Sequence, residues 1–204
     1  CVKRPFLKCY SVFNIEQTNI PEKHPEKLDK LYSLFKADEC PDETGMYENA
    51  GIDRLLENQS WLCPIMYKDV SDSAYYNPQK DIVVVPKKAQ FKRGNTAEEI
   101  YADGQEYYAT LMHELVHSTA HEGRLNRKTG SKFGDKDYAV EELVAELGAA
   151  RCGQVLGFDK RVLDNNAAYI DAWIGSIRKN PAYILTLMSD VEKASRMILE
   201  RIVA

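Results

Sequence analysis

The 204-residue sequence predicts an α+β fold: a small N-terminal sheet followed by a mostly helical C-terminal half. Three observations carry this. Segments rich in aromatic and β-branched residues, broken by turn signals, are confined to the first half. Apolar residues recur at helical spacing through the second half. Thr96 and Glu99 form a capping-box pair where the pattern changes.

In chain order, "RPFLKCYSVFN" reads as a strand and "IEQTNIPEKHP" as an extended linker. Leu28, Leu31, Tyr32 and Phe35 predict a helix from Glu26 to Lys36, which "PDETG" ends. A short helix is expected around Ile52 to Glu57. "SAYYNPQKDIVVVP" reads as two strands about the turn "NPQK". A long helix then starts at Thr96, carries "YYATLMHELVHSTAH" and stops near Gly123, with Gly104 a point of interruption. A polar loop follows. A second helix is expected from about Tyr138 to Leu156, closed by Gly157, then helices over Asn166–Lys179 and from Asn180 to the end, with Pro181 in the first turn. In the last one Ile184, Leu187, Met188, Val191, Ile198 and Ile202 form an apolar stripe expected to pack in the core.

Composition excludes several classes. Net charge is -4, so the chain as a whole has no electrostatic pull on nucleic acid. No apolar run reaches the ~18 residues of a membrane span. The five cysteines are scattered without a CxxC pair, which argues against a disulfide framework or cysteine zinc knuckle and for a reducing cytoplasm. The chain opens on Cys1 with no signal-peptide pattern, as expected of a piece of a longer protein.

The chemistry concentrates in "LMHELVH", residues 111–117. Three of the four histidines, His113, His117 and His121, fall within this helix and the four residues after the motif. Tyr108, Leu111, Met112, Leu115 and Val116 gather on one side of the helix and the histidines on the other. His113 and His117 stand one turn apart, ~6 Å along the axis, so two imidazoles can reach one ion. Glu114, about a quarter turn from His113, can stand beside that ion as a base without ligating it. The bland alternative is a solvated polar face.

Catalytic zinc needs a third protein ligand. On the next helix Val140, Leu143, Val144 and Leu147 make an apolar stripe, Glu142 and Glu146 share a face beside it, and Glu141 lies on the opposite flank near Ala145. Glu142 is the expected third ligand. Glu146, one turn on, is expected to hold a ligand histidine's free N–H. A straight helix puts His121 ~12 Å from His113, which leaves it a supporting, substrate-facing or surface residue. Tyr138 and His121 are candidates for a second oxyanion donor. The strand at Ile82 to Val85 could pair with an extended peptide, or be a buried structural strand. The loop from Glu122 to Lys136, with Arg124, Arg127 and Lys128, could face phosphate or an acidic substrate, or be solvated.

Taken together, "YYATLMHELVHSTAHEGRLNR" and "FGDKDYAVEELVAELGAA" resemble the zincin-like metallopeptidase domain of ArdC-type antirestriction proteins. "AYYNPQKDIVVVP" and "RPFLKCYSVFNIEQTN" extend the similarity, which runs from about Arg4 to the last helix. The resemblance implies a zincin-like fold for residues 21–204. It also implies that residues 1–20 are the tail of an N-terminal single-stranded-DNA-binding domain. It carries the ligand roles to His113, His117 and Glu142 and the base to Glu114. It implies a mobile-element protein acting in the bacterial cytoplasm, with no membrane partner.

The expected function is therefore zinc-dependent hydrolysis of peptide bonds in a protein or peptide substrate. One alternative is a single-stranded-DNA-binding antirestriction protein whose zincin fold is a scaffold. A third reading is a structural zinc with four protein ligands.

Overall fold

The computed structural model describes residues 20–27, 45–68, 73–129, 136–158 and 182–202. The chain divides into two units, Cys1–Asp38 and Glu39–Ala204. In the first, Ile20–Lys23 forms a short helix, α1, where an extended linker was expected. The expected opening strand, most of the Glu26–Lys36 helix and the Asn166–Lys179 helix lie outside the described residues.

The second unit starts with α2, Ala50–Glu57. Asn49 caps it, its Oδ1 accepting the Ile52 N–H at 3.1 Å. Three strands follow: β1 Ile65–Lys68, β2 Tyr75–Asn77 and β3 Ile82–Pro86. Their order is β1-β3-β2. β1 runs parallel to β3 (Ile65 opposite Val83) and β2 antiparallel to it (Tyr76 opposite Val83). The β2–β3 hairpin about "NPQK" is as the turn residues predict. The strand at Ile82–Val85 is the buried central strand, however. Both its edges are taken, so it cannot add a peptide strand. β1 was not foreseen: four residues, "IMYK", with one buried side chain give too short a pattern to read.

A 3-10 turn, Lys88–Phe91, leads to α3, Ala97–Ser118. Thr96 Oγ1 accepts the Glu99 N–H at 3.2 Å and Glu99 Oε2 accepts the Thr96 N–H at 3.0 Å, the expected capping box. The helix passes through Gly104 unbroken. There the backbone of Tyr47 lies so close that a Cβ would collide with it, so the glycine serves a close approach and not a break. α3 ends at Ser118, earlier than Gly123. Ser118 Oγ and Thr119 Oγ1 donate to the carbonyls of Leu115 and Val116, at 2.7 and 2.6 Å, and Trp61 Nε1 donates to Ser118 Oγ at 2.9 Å.

α4 spans Lys136–Leu156 and α5 Ala182–Ile202. α4 packs on both α3 and α5, and its buried residues are mostly small: Ala145, Gly148, Ala149 and Cys152, with Cys152 Sγ 3.9 Å from the Ser195 carbonyl oxygen of α5. Of its expected apolar stripe, Leu143 and Val144 are buried, whereas Val140 and Leu147 are only half-buried. A Cβ at Gly148 would meet Val116 Cγ2 at 2.9 Å, so this glycine sets the distance between the two helices. On α5, Leu187, Val191, Ile198 and Ile202 are buried as predicted, but Ile184 and Met188 are 38% and 49% exposed. The buried turn-to-turn positions are instead completed by Ala194 and Ser195. Cys63 and Cys152 are buried and free. Among the described residues, no helix is long and apolar enough to cross a membrane.

Candidate metal centre

α3 and α4 bring His113, His117 and Glu142 together. The two Nε2 atoms are 3.1 Å apart. Glu142 Oε2 stands 3.7 Å from His113 Nε2, and Oε1 stands 3.5 Å from His117 Nε2. One donor atom from each residue lies within 4.8 Å of the others. Zinc at 2.0–2.1 Å from tetrahedral N and O donors separates those donors by roughly 3.3 Å. The spacing found here fits that without rearrangement, and among the described residues three protein donors converge, which would leave a fourth position open. All three side chains keep some solvent exposure, between 15% and 31%.

The outer nitrogens explain why both Nε2 atoms turn inward. His117 Nδ1 faces Glu141 Oε1 at 3.3 Å, and His113 Nδ1 faces Glu146 Oε1 at 3.6 Å. A carboxylate on Nδ1 favours the tautomer whose Nε2 is free to ligate. Glu146 is thus where the helical-face argument put it. The helical pattern puts Glu141 on the opposite flank of α4, near Ala145. It is there, and buried, but it reaches His117 from that side.

Glu141 is held by the loop. Arg127 Nε and an Nη donate to its two oxygens at 2.9 and 2.6 Å. The same guanidinium donates to Thr119 Oγ1 at 2.7 Å and the Val116 carbonyl at 2.9 Å. The pair is almost wholly buried. Arg124 plays the matching part towards the sheet. Its Nε donates to the Ser118 carbonyl at 2.6 Å, one Nη donates to Asp81 Oδ2 at 3.1 Å, and the other pairs with Asp81 Oδ1 and donates to Tyr76 Oη at 3.2 Å. Tyr76 donates in turn to Asp81 at 2.7 Å. The two arginines of "RLNR" therefore face protein carboxylates, and neither is available to a phosphate. The sequence pattern marks Arg127 only as a loop cation and Glu141 only as lying on the flank opposite Glu142, and links neither to His117. The only signal was a pair of arginines soon after the motif with no acid at helical spacing to balance them.

Glu114 lies beside the three donors and is buried. Its carboxyl accepts the backbone N–H of Tyr76 in β2. Burial raises its pKa to about 7, against the lowering influence of His117 and that N–H. Burial, with His117 adjacent, lowers His113 to about 3, so this ring is neutral at physiological pH. Burial also pulls His117 down, but the Glu141 hydrogen bond and the charges of Glu114, Glu141 and Glu142 outweigh it and hold the ring above its ordinary value. Burial and Glu142 raise Glu146.

His121 is not on the helix. It sits in the turn beyond α3, with Nε2 3.9 Å from Asp81 Oδ2 and Nδ1 accepting the Gly123 N–H at 3.1 Å. The turn places it with the Asp81 and Arg124 group and not with the three donors. Nothing described bears on the Tyr138 side chain.

Comparison with known proteins agrees with this architecture. The zincin-like metallopeptidase family model matches residues 54–190, more than half of the chain. Two Escherichia coli proteins named DNA primase TraC are similar: one 34% identical over 199 residues, covering 97% of this chain and 12% of TraC, the other 35% identical over 128 residues, 63% and 11%. The uncharacterised protein y4eC of Sinorhizobium fredii (strain NBRC 101917 / NGR234) is 32% identical over 141 residues, 68% of this chain and 43% of that protein. The chain thus spans less than half the length of each of these relatives. Two crystal structures of the antirestriction ArdC protein from plasmid R388 superpose with TM-scores of 0.59. The metal-free form is 28% identical and covers 79% of this chain and 54% of ArdC. The Mn(II)-bound form is 30% identical and covers 81% and 58%. The chain belongs to the zincin-like metallopeptidase family, and its domain is of the ArdC type.

Proposed function

We propose that the chain is a zinc-dependent peptidase domain working within a larger antirestriction-type protein of a mobile element in the bacterial cytoplasm. The observation that supports this best is the convergence of His113, His117 and Glu142, one donor each, with the Glu114 carboxyl alongside.

His113 Nε2, His117 Nε2 and Glu142 would hold the ion. When bound, it would supply Lewis-acid activation of a water at neutral pH. Glu114 would accept the proton of the attacking water at its carboxylate and pass it to the departing amine nitrogen. A pKa of about 7 suits both halves of that transfer near neutrality. The Tyr76 N–H would fix the carboxyl so that it stands beside the water.

Two imidazoles and a carboxylate suit zinc. The Mn(II)-bound R388 ArdC protein makes manganese the ion to test beside it.

A second reading has its own support. The relatives carry the names DNA primase and antirestriction protein, so the zincin fold could be a scaffold beside a single-stranded-DNA-binding domain upstream. Against DNA contact by this chain stand its net charge of -4 and the burial of Arg124 and Arg127 in ion pairs.

The deciding experiment uses Glu114→Gln. The peptidase reading expects unchanged metal content and cleavage of a peptide library reduced by roughly 10²-fold or more. Equal cleavage by the variant would contradict it. Failure of wild type to cleave, with strongly salt-dependent binding of single-stranded DNA, would favour the scaffold.

A further inference from the structure

The accessible face of α3 does not end at the histidines. Glu106, Thr110, His113 and His117 follow one another at i, i+4, i+7 and i+11, a stripe of the helix left partly open to solvent. Glu106 and Thr110 line a pocket of about 420 Å³. Thr110 lies ~4.5 Å and Glu106 ~10.5 Å before His113 along the axis. The lining also includes Ala74, just before β2, and Phe91. Tyr76, two residues after Ala74, donates to Glu114, four residues after Thr110. β2 and α3 are therefore in contact beside the centre, and the pocket lies one to two turns of α3 before it.

We propose that this is the specificity pocket of the centre, and that Glu106 makes it select a lysine or arginine side chain in the peptide. The inference rests on the peptidase reading for the word specificity, though not for the binding itself. Glu106 makes no hydrogen bond or ion pair with the described residues, although other acids nearby do. Asp103, for example, accepts the backbone N–H groups of Arg93 and Gly94 at 2.6 and 2.7 Å. Glu106 is half-buried on a rigid helix, so an incoming cation would meet a partly desolvated carboxylate. Phe91 and Ala74 offer an apolar wall for the methylene stem of such a side chain. The one cation of the lining, Arg93, is exposed, with its guanidinium 6.0 Å from the Phe91 ring centre, and its charge is screened by solvent.

The test is a positional peptide library, read as retention on metal-free protein and as cleavage by metal-loaded protein. Wild type should enrich Lys and Arg at one position. Glu106→Gln should lower that enrichment roughly three- to tenfold, and Glu106→Lys should turn it towards Asp and Glu. Both variants alter a partly open helix position and should melt like wild type. Selective retention without cleavage would uphold the pocket while sinking the peptidase reading. Cleavage without selection would do the reverse. Wild-type preference for Asp and Glu, Lys/Arg preference unchanged in both variants, or neither retention nor cleavage would overturn the pocket.

Discussion

Arg127 is a side chain whose removal should act on stability and on metal binding through different atoms. Arg127→Ala takes two hydrogen bonds from Glu141 and one each from Thr119 Oγ1 and the Val116 carbonyl. The larger effect is what stays behind. Glu141 is left as a buried carboxylate without its cation, and breaking a buried pair from one side costs about 3–5 kcal/mol. That is a large share of the roughly 5–15 kcal/mol that holds a domain together. Removing both charges, Arg127→Met with Glu141→Met, leaves no orphan charge and should recover at least half of the loss. It cannot recover the acceptor on His117 Nδ1, so metal affinity should still fall about 10- to 100-fold. Urea unfolding of the metal-free proteins reads the first effect, and chelator competition reads the second. The reasoning is refuted if Arg127→Ala costs under about 1 kcal/mol, or if the double variant binds metal as wild type does.

Three further outcomes follow from the same geometry. Glu114 and His117 both have folded pKa values raised above their ordinary ones, so each favours the folded metal-free protein at low pH and loses that contribution as pH rises through the folded value. Between pH 5 and 8 Glu114 should cost the metal-free protein on the order of 2–3 kcal/mol, while His113, its folded value lowered to about 3, returns about 2 kcal/mol over the same window; the Glu114 part is therefore read against Glu114→Gln, relative to which the wild-type Tm should fall as pH rises, and parallel Tm profiles would contradict this. Metal affinity should rise over the same window, because a protonated His117 competes with the ion; calorimetry in buffers of different ionisation enthalpy should find proton release on binding, and none would count against it. Gly148→Ala should push α4 from Val116 and cost about 1 kcal/mol by urea unfolding, despite alanine's better helix propensity; a more stable variant would show that Val116 yields freely.

What could be read in advance was what depends on one helix at a time. His113 and His117 share a face because of their spacing alone, and Glu142 and Glu146 were placed by the same rule. Glu141 escaped because its partner is brought in by tertiary structure. Arg127 belongs to a turn that folds back on α3, its N–H reaching the Ala120 carbonyl at 3.0 Å, and nothing local to "RLNR" says that it points inward. The α4 stripe was half legible: Leu143 and Val144 are buried as large apolar residues should be, but close packing on α3 calls for a glycine at 148, against Val116, which following large residues cannot find. Gly104 raised the same difficulty. A glycine in a helix can mark a weak point or a near neighbour, and Tyr47, more than fifty residues upstream, decides which.

The most direct measurement is metal content by elemental analysis, on protein purified without chelators and after addition of zinc or manganese. His113→Ala should be run beside wild type. The account predicts one divalent ion per wild-type chain and none in the variant. No ion in wild type, or an ion retained by His113→Ala, would return "LMHELVH" to the polar face of an ordinary helix.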